Sequence, residues 1–227
     1  MYRSVRLCGL ASVVVALSTL LGVASPPSSS AAACPDVEVV FARATSEPPG
    51  LGQAGQVFFD TLRSQTRGKT VSTYAVNYPA SEDFVSSASA GAADANARVQ
   101  STVASCPNTK VVLGGYSQGA LVVDLITAIP LSMGGFTPAP LAPELADHVA
   151  AVAVFGNPLG RYVGAPLTAV SPAYGPKTAD ICAAGDPICS PGNAGLPTRD
   201  EEFSPAHLSY VKSGLVAQGA SFAAGRI

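Results

Sequence analysis

The chain has 227 residues, 48% of them hydrophobic and 12% charged, with no tryptophan and a formal net charge of −2. One domain with a well-buried core suits that length and apolar content. The slight acidic excess leaves no basic face, which excludes a nucleic-acid binder.

At the N-terminus Arg3 and Arg6 precede an apolar run from Leu7 to Val23, and a Pro/Ser segment ends in Ala31-Ala32-Ala33 before Cys34. This is the pattern of a secretory signal peptide over residues 1–33, so a secreted chain of residues 34–227 is expected, with association with the cell envelope left open. A retained anchor is the weaker alternative, because the run falls short of the ~20 residues of a membrane span. Acylation of Cys34 is weaker still, since the apolar run lies far upstream. After cleavage no integral membrane span is expected. Cleavage also removes Cys8, leaving Cys34, Cys106, Cys182 and Cys189. An even count in an exported chain suggests two disulfides, with three connectivities open.

In the mature chain, Val37 to Ala42 reads as a short apolar strand. A Pro/Gly loop from Arg43 to Gly50 follows, and Gly52 to Arg67 has helical spacing of Val57, Phe58 and Leu62, with Gly68 as its stop. Val71 to Val76 is a second strand. Ser81-Glu82-Asp83 opens a long alanine-rich helix to about Ser105, with Phe84, Ala88, Ala92, Ala95 and Val99 on one side. The run Val111 to Leu113 is a third strand, and Leu121, Val122, Leu125 and Ile126 mark a helix ending near Pro130. Beyond a loop from Leu131 to Pro143, Val149 to Phe155 is a fourth strand. Gly156 to Pro176 reads as irregular, Thr178 to Cys182 as a fifth strand, the segment to Pro205 as loop, and about His207 to Ala224 as a terminal helix. Strands without polar alternation are covered on both faces, so the expected fold class is α/β with a parallel sheet, doubly wound. Sites in such sheets gather beyond the carboxyl ends of the strands.

Between the third strand and its helix the chain reads Gly115-Tyr116-Ser117-Gln118-Gly119, a G-x-S-x-G turn. A backbone turning that sharply from strand to helix needs glycines where it approaches its neighbours, and it holds the serine hydroxyl over the first turn of a helix. A serine nucleophile needs a base, and the base an orienting acid. Of the two histidines, His148 stands at the start of the fourth strand, the wrong end, so His207 is the candidate base. In elbows of this kind the acid lies between nucleophile and base. Asp124 falls on the elbow helix, Glu144 and Asp147 precede the fourth strand, Asp180 falls within the fifth, and Asp200, Glu201 and Glu202 read as a solvated acidic face. Asp186 remains, directly after the fifth strand in a segment bracketed by Cys182 and Cys189. No cluster has metal-ligand spacing and no phosphate-binding glycine loop is seen, so no metal and no cofactor is expected.

The G-Y-S-Q-G at 115–119, the G-D-P-I-C at 185–189, His207 with Tyr210 after it, and cysteines at 34, 106, 182 and 189 together resemble the cutinase family, in particular its actinobacterial cutinase-like esterases. The resemblance spans nearly all of the mature chain. It implies Ser117, Asp186 and His207 as a catalytic triad, Cys34–Cys106 and Cys182–Cys189 as the bridges, and an α/β-hydrolase-like three-layer sandwich with a five-stranded parallel sheet and no lid domain. It also implies an oxyanion hole made by the backbone N–H of Gln118 and a hydroxyl after the first strand, matched by Thr45 with Ser46 as the alternative. The expected function is a secreted serine esterase, a carboxylic ester hydrolase of short- to medium-chain acyl esters that extends to cutin or other polyesters. Its partner is an ester or lipid substrate, and a monomer is expected. The rivals are a lipase, phospholipase or thioesterase on the same triad and, from another class, a non-catalytic surface-binding protein. The loops 131–143 and 187–197 are expected to border the mouth of the site.

Overall fold

Val37–Ala42 forms a strand, β1, that is buried along its whole length. Its side chains alternate between two cores, Val40 and Ala42 on one face and Val37, Val39 and Phe41 on the other. A computed structural model describes residues 1, 33–128, 134–190 and 195–227. The expected signal peptide, the approach to Pro130, and the loop residues 131–133 and 191–194 lie outside the described residues. All the described strands and helices belong to the unit Cys34–Ile227.

The remaining strands are β2 (Val71–Ala75), β3 (Lys110–Tyr116), β4 (Val149–Phe155) and β5 (Thr178–Ile181). All pairs are parallel, in the order β2-β1-β3-β4-β5. Continuous apolar runs at β1, β3 and β4 therefore become the three central strands, as expected of a sheet covered on both sides. Helices α1 (Gly52–Gln65) and α7 (Leu215–Ala224) cover the face of Phe41, Phe58 and Phe155, whereas α2 (Phe84–Ser105) and α3 (Gln118–Thr127) cover the face of Leu113, Val122 and Val154. Glu38 is the one carboxylate on β1. It is buried and paired, accepting hydrogen bonds from Arg98 and Thr102 of α2.

The strand order reverses between β1 and β3, so a crevice opens at their carboxyl ends, between the loop after Ala42 and the turn after Tyr116. Disulfides join Cys34 to Cys106, tying the start of β1 to the end of α2, and Cys182 to Cys189, closing the segment after β5.

Three local expectations are corrected. The stretch 156–176 contains two short helices, α4 (Leu159–Val163) and α5 (Leu167–Val170). The segment before Pro205 carries a further one, α6 (Arg199–Glu202), with a capping box between Thr198 and Glu201. The terminal helix is interrupted: a 3-10 turn spans His207–Ser209, and Gly214, at a φ of 77°, starts α7 afresh.

Candidate active site

Ser117 sits between β3 and α3 with φ 57° and ψ −119°, a conformation L-residues avoid. The turn is tight enough that a Cβ on Gly115 would lie 2.1 Å from Gly119 O, and one on Gly119 would lie 2.0 Å from Ala42 O. Both positions therefore exclude any side chain. Gln118 opens α3, so its N–H has no acceptor within the helix. Its side chain is fixed on the other side of the elbow, accepting from Ser87 Oγ at 2.8 Å and donating to Ser81 O at 2.8 Å.

Asp186 follows β5 inside the loop closed by the Cys182–Cys189 bridge, and it is fully buried. One carboxylate oxygen accepts from Ile188 N at 2.8 Å; the other takes the Tyr210 hydroxyl at 2.6 Å and faces His207 Nδ1 at 2.8 Å. Burial pushes the Asp186 pKa up, but the hydrogen bond and charge of His207, the Tyr210 hydroxyl and the Ile188 N–H more than offset it, leaving the carboxyl below its ordinary value. His207 is buried, and its ring lies 5.1 Å from that of Tyr116, which donates to the His207 carbonyl, and edge-on to Tyr210. Gly156, after β4, leaves the ring its space: a Cβ there would lie 2.7 Å from His207 Cε1.

Ser117 and His207 line one cavity of about 300 Å³, together with Ala44 to Pro48, Gln53 and Ala54 from the β1 side and Glu202, Phe203, Leu208, Tyr210 and Val211 from the C-terminal segment. Among the described residues its lining beyond the elbow thus comes from 44–48, 53–54, 202–203, 207–208 and 210–211. The loops 131–143 and 187–197 contribute no described residue to it. The β1 loop is held by two residues that sequence reasoning passed over. Arg43 is buried and reaches Glu47 O at 2.8 Å and Tyr78 O at 2.8 Å. Glu47 accepts from Ala44 N and from Gln53 N, each at 2.8 Å, which ties the loop to the first turn of α1. Thr45 is half-buried between these anchors, and its hydroxyl donates to Glu202 Oε1 at 2.8 Å, while Ser46 is exposed. Both line the cavity.

The acidic run at 200–202 is only partly a solvated face. Glu202 is buried, and Glu201 pairs with the buried Arg161 at 3.1 Å. No spacing rule signals either contact, because their partners lie far off in sequence. The nearest hint was the capping-box pattern Thr198-x-x-Glu201. His148 ends a 3-10 turn at the amino end of β4, away from the cavity, and Asp124 and Asp180 are joined through Asn157 rather than to His207. Among the described residues no group of three or more His, Cys, Asp or Glu side chains is placed to hold a metal, and no helix is long and apolar enough to cross a membrane.

Residues 33–227 match the family model described as Cutinase. The chain is 50% identical over 224 residues to the phospholipase Culp4 of Mycobacterium tuberculosis, covering 98% of this chain and 92% of that protein. It is 46% identical to the carboxylesterase Culp1 of Mycobacterium bovis, covering 95% of this chain and 94% of the relative. Among solved structures it resembles a Trichoderma reesei cutinase in complex with a phosphonate inhibitor, at 31% identity with a TM-score of 0.61, covering 85% of this chain and 76% of that one. It also resembles an acetyl xylan esterase, at 25% identity with a TM-score of 0.71, covering 86% and 99%.

Proposed function

The chain belongs to the cutinase family, and on that footing we propose that it is a secreted hydrolase of short- and medium-chain carboxylic esters that works through an acyl-enzyme on Ser117. The observation that carries this reading is the pairing of the buried Asp186 carboxylate with His207 Nδ1 at 2.8 Å, on the wall of the same cavity as the strained Ser117 turn. With Nδ1 held by Asp186, Nε2 is the nitrogen that accepts the Ser117 proton as the hydroxyl attacks the ester carbonyl. The carbonyl oxygen becomes an oxyanion. The unpaired N–H at the start of α3 is one donor for it, and the Thr45 hydroxyl is the second when its hydrogen is not held by Glu202. The imidazolium returns its proton to the departing alcohol, and water, deprotonated by the same histidine, then releases the acid. This chemistry requires no metal or cofactor.

The Cys34–Cys106 and Cys182–Cys189 bridges support export into an oxidising compartment. A second reading, hydrolysis of phospholipid acyl esters, is favoured by the relative at 50% identity that is named a phospholipase. Turnover of dissolved p-nitrophenyl butyrate and hexanoate, set beside phosphatidylcholine vesicles, tests both. Saturable hydrolysis of the dissolved esters, lost in Ser117→Ala, is expected. Cleavage of the vesicles alone would replace the first reading by the second.

A further inference from the structure

Thr45 has one hydroxyl hydrogen, and Glu202 takes it. The donor–acceptor distance is 2.8 Å, the two residues are 157 positions apart, and both line the cavity with Ser117 and His207. A hydroxyl can accept twice but donate only once. While the Glu202 carboxylate holds that hydrogen, Thr45 has none for an oxyanion. The arrangement is built rather than incidental. Glu202 is 8% exposed, at the end of α6, and that helix is pinned by its capping box and by the Arg161–Glu201 pair at 3.1 Å. On the other side, Arg43 and Glu47 hold the loop that carries Thr45.

We infer that Glu202 is a positioning residue that controls the second oxyanion donor: ionised, it withholds the Thr45 hydrogen, and protonated, it donates to Thr45 Oγ1 and releases that hydrogen toward the ester oxygen. Only the proton's position changes, and no covalent bond between heavy atoms forms or breaks. The inference rests on the ester-hydrolase reading. Burial raises the Glu202 pKa above the ordinary value for glutamic acid, and the Thr45 hydroxyl and the charge of protonated His207 offset only part of that rise. The other charged groups that act on it are Glu82, which raises it further, and Arg199, which lowers it, while Glu47 and the Tyr116 hydroxyl share the cavity wall. Thr45 therefore contributes most at the acid end of the working range, and less as pH rises through the titration of Glu202.

The test is kcat and KM for p-nitrophenyl butyrate between pH 4 and 9 in the wild type, Glu202→Leu and Glu202→Gln, each with and without Thr45→Val, with Ser117→Ala as the control. A single oxyanion donor is worth about 10²–10³ in kcat. The kcat ratio of wild type to Thr45→Val is expected to fall by roughly tenfold or more from the acid to the alkaline end, with KM nearly constant, because the oxyanion exists only beyond the ground state. In both Glu202 variants that pH dependence vanishes. Glu202→Leu, which leaves no acceptor, equals or exceeds the wild type on the alkaline side. A ratio independent of pH, or a Glu202→Leu variant that loses kcat equally at every pH, overturns the inference and leaves Glu202 a structural prop. The Gln variant, nearly isosteric with Glu, decides the pH dependence by itself if the Leu variant does not fold. Retained turnover in Ser117→Ala would instead sink the hydrolase reading.

Discussion

Asp186 shows how much depends on one side chain. Its two oxygens collect Ile188 N, the Tyr210 hydroxyl and His207 Nδ1, so the carboxylate is charged, buried and fixed at once. On the proposed mechanism Asp186→Asn replaces with an amide the charge that stabilises the imidazolium, and the amide can present a donor to Nδ1. We expect kcat to fall by about 10³–10⁴ with KM little changed, read from steady-state turnover. Tyr210→Phe keeps the charge but removes one donor and also leaves Ala183 N–H, now bonded to the Tyr210 oxygen at 2.9 Å, without its acceptor. A loss of about 1.5–3 kcal/mol in urea unfolding at pH 7 is expected. The sign with pH follows from the depressed Asp186 pKa: its stabilisation is present above the unfolded-state value and is lost as pH falls through the folded one. The deficit of Tyr210→Phe should therefore shrink in acid, and a deficit that grows there would contradict the assignment. Ser117, His207 and Asp186 were legible because chain order and strand ends left one choice for each. Glu202 and Arg43 were not, since what defines them is a partner on another loop.

Among the elements, α3 carries a cost. Asp124 lies on it fully buried; one oxygen accepts from Asn157 at 3.2 Å and the other has no partner. Burial raises its pKa well above the ordinary value, and the neighbouring Asp180 carboxylate adds to the rise. A raised pKa means that the stability associated with the group is fully present below the unfolded-state value and lost as pH rises through the folded one. Asp124→Asn, which stays neutral, should match the wild type near pH 4 and melt higher near pH 8. A lower melting temperature for the variant at pH 8 would show that the ionised carboxylate is stabilising. Element type was readable wherever apolar runs were long: β1 and β4 fall on their expected bounds, and α2 buries the expected stripe of Phe84, Ala88, Ala92, Ala95 and Val99. The misses at α4, α5 and α6 are helices of five, four and four residues in Gly/Pro-dense sequence, too short to show a period. A terminal helix over about 207–224 is too long because Gly214 is a left-handed break that helical spacing alone does not reveal.

For the whole molecule, the two bridges divide the work. Cys34–Cys106 spans 72 positions and ties a strand to a helix far from the cavity, whereas Cys182–Cys189 spans 7 and closes on Asp186. In the chain-entropy model they are worth about 4 and about 2 kcal/mol. Replacing the first pair by serines should lower thermal stability more, and replacing the second should lower kcat more. Activity that survives loss of the second pair in a folded protein would show that the Asp186 loop needs no staple. Above these terms stands the claim that Ser117 is the nucleophile of a hydrolase whose base is His207. The most direct measurement is labelling of the folded, oxidised protein with a fluorophosphonate, followed by peptide mapping. One adduct per chain is expected, on Ser117, absent in Ser117→Ala and strongly slowed in His207→Ala. An adduct on another serine, or ester turnover that persists in a chain that takes no label, would contradict it.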